Sequence, residues 1–115
     1  MIRINHNINW SIFVAAFFQH HGVGHACISP GARNSPLTYS LTRQTGIICY
    51  SHVDERSSAF FALGIAKSKK RPVLIISTSG TAAANFYPAV IEANLSRVPL
   101  IILSADRPGN LVGSG

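Results

Sequence analysis

Pro72-Val73-Leu74-Ile75-Ile76-Ser77 runs apolar and largely β-branched, with no polar position until its end. A half-buried strand alternates apolar and polar residues. A strand that is apolar throughout is covered on both faces, as happens inside a parallel sheet with helices on either side. The chain repeats this pattern in Val98-Pro99-Leu100-Ile101-Ile102-Leu103-Ser104, and in shorter form at Val23 to Ile28 and Gly46 to Tyr50. Helical patterns separate the runs, so the fold class is α/β, a parallel sheet with flanking helices.

The spacing of Ile12, Phe13, Ala16, Phe17 and His20 predicts a first helix from an Asn9 cap to about His21, with Gly22 ending it. Residues Met1 to Asn7 are read as polar and loose. Ser35 as cap and Pro36 as first helical residue predict a short helix, Leu37 to Gln44. Asp54 caps a third helix running to about Ser68, which the basic stretch Lys67 to Arg71 closes. Phe60, Phe61, Leu63 and Ile65 make that helix apolar all round, so it is expected to be buried. A fourth helix opens at Thr78-Ser79-Gly80-Thr81 and runs to about Asn94. Pro88 should kink or split it.

Of the 115 residues, 12% are charged, with a net charge of +6 and only four acids. So few charges suggest a surface covered by a partner or by further chain. The positive balance permits anions or nucleic acid. Lys67 to Arg71 lacks interleaved aromatics and suits the helix dipole, so no nucleic-acid partner is expected. Cys27 and Cys49 form no C-x-x-C pair and read as buried, reduced thiols of an intracellular protein. No signal segment and no apolar run of membrane-spanning length is present, so no membrane partner is expected. The histidines His6, His20, His21, His25 and His52 show no metal-ligand spacing, and no metal site is assigned. The chain ends in a loop and reads as the first part of a longer protein.

In a parallel sheet ligands bind beyond the carboxyl ends of the strands. Four segments fall there: Ser29–Ser35, Ser51–Arg56, Thr78–Thr81 and Ala105–Pro108. They carry the polar groups of an otherwise apolar chain. Glu55 is either a helix-start acid stabilised by the dipole or a carboxyl tuned for proton exchange. Burial against Phe60 and Phe61 would raise its pKa, and the helix N-terminus would lower it. Arg33 and Arg107 are either solvated loop charges, Arg107 paired with Asp106, or a matched pair of forks for a multiply anionic substrate. Ser79-Gly80-Thr81 is either a capped turn or an anion cradle at a helix start. Neither a P-loop nor a dinucleotide fingerprint occurs.

Four stretches in order are familiar: Ile28-Ser29-Pro30-Gly31-Ala32-Arg33-Asn34-Ser35-Pro36-Leu37, His52-Val53-Asp54-Glu55-Arg56, Thr78-Ser79-Gly80-Thr81-Ala82-Ala83-Ala84-Asn85 and Ala105-Asp106-Arg107-Pro108. The set resembles the start of the thiamine diphosphate-dependent 2-succinyl-5-enolpyruvyl-6-hydroxy-3-cyclohexene-1-carboxylate synthases of menaquinone biosynthesis, over nearly the whole chain. The resemblance implies that residues 1–115 are an incomplete pyrimidine-binding domain. It implies that Glu55 hydrogen-bonds N1′ of the cofactor and promotes proton loss from its thiazolium C2. Ser79, Gly80 and Thr81 would line the cofactor site, and Arg33 and Arg107 would meet substrate carboxylates. The substrates would be 2-oxoglutarate, which loses CO2, and isochorismate. Mg2+ or Mn2+ and its ligands would belong to a later domain. The active site would form between subunits of a cytoplasmic homodimer or homotetramer, so this stretch alone would be inactive. Ala32 departs from the family's usual Ser and removes a hydroxyl. Two other readings stay open: another thiamine diphosphate decarboxylase or carboligase, and a non-catalytic α/β module that binds anions.

Overall fold

In the computed structural model, residues 5–113 are described, and they form one parallel sheet between two helical layers. The order along the chain is α1 (His6–His20), β1 (His25–Ile28), α2 (Ser35–Leu41), β2 (Ile48–Ser51), α3 (Glu55–Lys69), β3 (Val73–Ser77), a 3-10 helix (Gly80–Phe86), α4 (Tyr87–Ser96), β4 (Leu100–Ser104) and a short 3-10 turn (Gly109–Leu111). The strands lie in the order β2-β1-β3-β4, all parallel. Ile28 sits beside Ile76, and Ser77 beside Ser104, so the strands end nearly level at their carboxyl ends.

The continuous run behaves as its composition requires. All five residues of β3 are buried, with Val73, Leu74, Ile75 and Ile76 at 0% exposure. Each such aliphatic side chain contributes roughly 1.5–3 kcal/mol on burial. Their alternation splits the core. Leu74 and Ile76 join Ile28, Ile47, Ala15 and Leu41 beneath α1 and α2. Val73 and Ile75 join Cys27, Phe86 and the alanines of α3 on the other face.

The helix boundaries correct the sequence reading at three places. Asn5, not Asn9, caps α1, its Oδ1 accepting from the N–H groups of Asn7 and Ile8 at 3.1 and 3.3 Å. Of the segment read as loose, residues 1–4 lie outside the described residues, and Asn5 to Asn7 form the cap and first turn. Asn34 stands at the cap position of α2, with Ser35 already helical and Leu41 its last residue. Pro88 does divide the segment after β3: a 3-10 helix precedes it, and it occupies the first turn of α4, where its missing N–H costs nothing.

The third helix is not buried all round. Ser58, Ala59, Ala62, Leu63 and Ala66 face inward, whereas Phe60 and Phe61 are 43% and 46% exposed. Small residues let the helix approach the sheet closely. The bulky rings are then left to the outer side, where Phe61 rests on Tyr50 and His52 at 5.1 and 4.9 Å. Glu55 belongs to the inner stripe, one and two turns before Ala59 and Ala62. Successive helical residues turn by about 100°, which puts Phe60 and Phe61 more than 100° around the axis from Glu55. The expected enclosure of Glu55 by the two rings is therefore replaced by a position at the head of the alanine stripe.

Cys27 and Cys49 are free thiols, Cys27 buried and Cys49 half-buried at the β2 edge. Burial, with a smaller contribution from Cys49 nearby, pushes the Cys27 thiol up to about 12 from 9.0. Burial also raises Cys49. A thiol whose pKa is raised by folding favours the native state below its unfolded value and loses that contribution above it. Stability is therefore expected to fall as pH rises from about 9 to about 12. Cys27→Ala should flatten that limb in urea melts, and an unchanged pH slope would refute the assignment.

Candidate active site

The seam between β1 and β3 is where successive connections leave in opposite directions, the position at which open α/β sheets form ligand crevices. The loop after β1 is locked there from within. The side chain of Asn34 is at 0% exposure; its Oδ1 accepts from the Gly31 N–H at 2.8 Å, and its Nδ2 donates to the Ser29 carbonyl at 2.8 Å. Gly31 lies against the segment after β3 so closely that a Cβ there would stand 2.5 Å from Thr78 Cβ. Only glycine permits that approach. Arg33, one residue before the buried amide, thus has a fixed base and an exposed head.

The loop after β4 is held by two bonds. The Ala105 N–H donates to the Ser77 carbonyl at 3.0 Å, and Asp106 Oδ1 accepts from the Arg107 backbone N–H at 2.7 Å. Asp106 thereby shapes the loop. Among the described residues, no ion pair ties up the guanidinium of Arg33 or Arg107. Both arginines line one open cleft of about 430 Å³, together with Asn7, Ala32, Pro36 and Asp106. Two unpaired guanidinium forks facing one space suit an anion with more than one carboxylate. The methyl group of Ala32 lies on the same wall.

Glu55 occupies a different part of the rim. Asp54 serves the helix, its carboxylate accepting from the Arg56 N–H and the Ser57 hydroxyl at 3.0 Å each. Glu55, half-buried, has one partner: Asn85 Nδ2 donates to its Oε2 at 3.3 Å. Among the described residues Oε1 accepts no hydrogen bond. Asn85 belongs to the 3-10 helix that begins at Gly80, so the acid is tied to the segment containing Ser79, Gly80 and Thr81. Gly80 has φ +77, a left-handed conformation that favours glycine, and a Cβ there would meet nothing within 4 Å. The turn therefore faces open space. Ser79 makes no side-chain cap bond, so its hydroxyl is not spent on the helix.

The four strand-end segments gather at one rim, as expected, but the rim has two sides. Arg33 and Arg107 share the cleft on the α1 and α2 face. Glu55 and the Ser79–Thr81 turn lie on the α3 face. Sequence reasoning gave no role to Asn7, Asn34 or Asn85, although Asn34 and Asn85 lie in stretches that carry the resemblance. Asn34 follows Arg33 and precedes Ser35-Pro36, and that position before a helix-starting proline was the available sign of a polar residue at the helix start, although its amide bonds back to Gly31 and Ser29 rather than to the helix. Nothing in the spacing marks Asn7 or Asn85. Among the described residues no group of three or more His, Cys, Asp and Glu side chains is placed to hold a metal ion. No helix among them is long and apolar enough to cross a membrane.

An acid and two arginines at the carboxyl rim of a parallel sheet stand where α/β domains bind ligands, and comparison with known families gives the class. Residues 9–115 match the family described as thiamine pyrophosphate enzyme, N-terminal TPP binding domain. The chain belongs to that family. It is also similar to curated proteins named 2-succinyl-5-enolpyruvyl-6-hydroxy-3-cyclohexene-1-carboxylate synthase. Identity is 50% with that of Shewanella amazonensis, over 95% of this chain and 19% of the relative. It is 51% with that of Dechloromonas aromatica, over 95% of this chain and 20% of the relative. It is 52% with that of Listeria welshimeri, over 96% of this chain and 20% of the relative. The chain thus spans about one fifth of the length of these relatives.

The residues present fit the family's cofactor in one respect that the geometry tests. A carboxylate meant to meet a ring nitrogen needs one oxygen anchored and one open, and Glu55 has that arrangement.

Proposed function

We propose that this chain supplies the cofactor-activating and carboxylate-recognising side of a thiamine diphosphate-dependent synthase. That enzyme joins 2-oxoglutarate, with loss of CO2, to isochorismate and forms 2-succinyl-5-enolpyruvyl-6-hydroxy-3-cyclohexene-1-carboxylate. The observation that carries this reading is the convergence of Arg33 and Arg107 on one cleft, at the same rim as a carboxylate with one oxygen free. The names of the relatives support it.

Thiamine diphosphate, when bound, supplies a carbanion-forming carbon and an electron sink. Glu55 holds or accepts a proton at Oε1, while Asn85 fixes Oε2 and with it the direction of the carboxylate. Ser79, Gly80 and Thr81 border the cofactor's place with backbone and small side chains. Arg33 and Arg107 bind substrate carboxylates and orient them, which turns a meeting of two reactants into a positioned encounter. Mg2+ or Mn2+ would be held by residues in the remainder of the relatives' length. The enzyme works in the cytoplasm as a homo-oligomer, and residues 1–115 do not turn over by themselves.

The test is a chimera in which this chain replaces the matching stretch of the Listeria welshimeri relative. Given thiamine diphosphate, Mg2+, 2-oxoglutarate and isochorismate, it should release CO2 and form the adduct, whereas the 115-residue chain alone should not. A folded chimera that binds the cofactor yet releases no CO2 would overturn the reading in favour of an anion-binding module.

A further inference from the structure

The four strands are parallel, so the helices run back between them and all end on the side of the sheet opposite the rim. There α2 delivers Arg43 ahead of β2, α3 delivers Lys67, Lys69, Lys70 and Arg71 ahead of β3, and α4 delivers Arg97 ahead of β4. In sheet order these cations reach from β2 to β4, three strand spacings or about 14 Å. Arg71 bridges toward the end of α1: its Nη1 would stand 3.1 Å from a Cβ at Gly22. All six are exposed, and among the described residues none is in an ion pair. No acid occurs in the turns at this end, residues 21–24, 42–47, 70–72 and 97–99. At the rim, by contrast, Arg33, Arg56 and Arg107 are matched by Asp54, Glu55 and Asp106, and Glu92 is offset by Arg3, which lies outside the described residues. The whole net charge of +6 therefore resides on the end away from the rim.

We propose that this end is a peripheral docking face for an anionic lipid surface. Two observations favour lipid over another polyanion. First, apolar side chains stand among the cations: Phe17 and Leu95, in the last turns of α1 and α4, are 46% and 73% exposed. A bilayer interface takes both kinds of group, cations at the headgroups and apolar side chains at the acyl boundary, and no spanning helix is needed. A nucleic acid would call for aromatic platforms, yet the ring beside Arg43 is Tyr39, and the guanidinium already covers it at 3.7 Å. Second, Lys70 and Arg97 end their helices with φ 53 and 54, a conformation that favours glycine. Folding alone would favour glycine at both positions, and what each residue adds is a charge on this face. Docking here leaves the rim turned away from the lipid and open to soluble substrates. The inference therefore stands beside the synthase reading and does not rest on it.

The 115-residue chain and the chimera are each floated with vesicles of phosphatidylcholine, pure or with about one third phosphatidylglycerol, and titrated separately with a duplex DNA oligonucleotide. Both proteins should bind the anionic vesicles at least about tenfold tighter than the neutral ones, and lose that preference between about 0.05 and 0.5 M salt. Removing one cation should weaken vesicle binding about fivefold, and the triple variant Lys67→Gln, Lys69→Gln, Lys70→Gln about 10²-fold. Arg56→Gln removes the same charge from the rim and should change binding less than about twofold. Leu95→Ala should weaken vesicle binding about threefold and leave DNA binding unmoved. The substituted side chains are exposed and unpaired among the described residues, so the variants should keep the parent circular dichroism. In the chimera the triple variant should release CO2 at the parent rate, which separates this face from the synthase reading. Equal binding to neutral and anionic vesicles, or equal losses in Arg56→Gln and Lys69→Gln, would overturn the inference. So would DNA binding tighter than vesicle binding with Leu95→Ala neutral, which would assign the face to nucleic acid. Binding by the 115-residue chain but not by the chimera would show the face covered in the longer protein, and the inference would fall there too.

Discussion

Glu55→Gln in the chimera is expected to lower the rate of CO2 release by about 10² to 10⁴-fold, the range that a positioned proton-transfer group supplies. The amide keeps the size of the carboxylate and can still accept from Asn85 through its oxygen. Its NH2 then replaces Oε1, the one oxygen that carries no hydrogen bond among the described residues. Charge and accepting capacity are lost at that atom alone. The fold should survive, because Asp54 and not Glu55 caps α3. Loss of a first-turn acid costs only about 0.3–1 kcal/mol. A melting point within a few degrees of the parent, with the rate reduced at least a hundredfold, would establish proton handling at Oε1. A rate within about threefold of the parent would make Glu55 a helix-start acid and nothing more.

The largest effect on stability is expected at Asn34→Ala. Truncation leaves the Gly31 N–H and the Ser29 carbonyl without their partners, in a loop whose amide is fully buried. Each orphaned buried group costs about 1–3 kcal/mol. The sum is about 2–6 kcal/mol, which for a domain of this size corresponds to a melting point lower by roughly 10 °C or more. Asn34→Asp should fare no better. It keeps an acceptor for Gly31, but it loses the donor to Ser29 and buries a charge. Because Arg33 is anchored by its neighbour, diacid binding at temperatures where the variant is folded should weaken as well. A melting point within about 2 °C of the parent would show that the clamp is dispensable.

The sheet was legible because its signal is cumulative. Four apolar runs at strand spacing, with β-branching in the longest, leave few alternatives to a parallel sheet. From that sheet the strand-end rule leads directly to Arg33, Glu55, Ser79–Thr81 and Arg107. Pro88 was legible for a different reason, since its ring constrains the backbone whatever surrounds it. The third helix was misjudged because a count of apolar residues does not say which face they take. Alanine and serine won the inner face of α3 by size, and two phenylalanines were left outside. The first cap was misplaced because Asn5 and Asn9 are the same residue type one turn apart, and only the hydrogen bonds distinguish them. The two-sidedness of the rim could not be read from strand ends, because it depends on which helical layer each loop folds toward. Asn7 and Asn85 reach the site through tertiary packing, which carries no local pattern.

Arg33 and Arg107 follow strands that do not touch. β1 and β4 are separated by β3, so the bases of the two loops stand about 10 Å apart across the sheet. A dicarboxylate gripping both would act as a clasp over the central strand. No hairpin, helix pair or half-folded chain contains both jaws of that clasp, because they are 74 positions apart and meet only when three strands are in register. Ligand binding would therefore slow the opening of the whole sheet and leave local fraying at the β2 edge untouched. In kinetic terms, the cleft would act as a lock that closes only on the finished molecule.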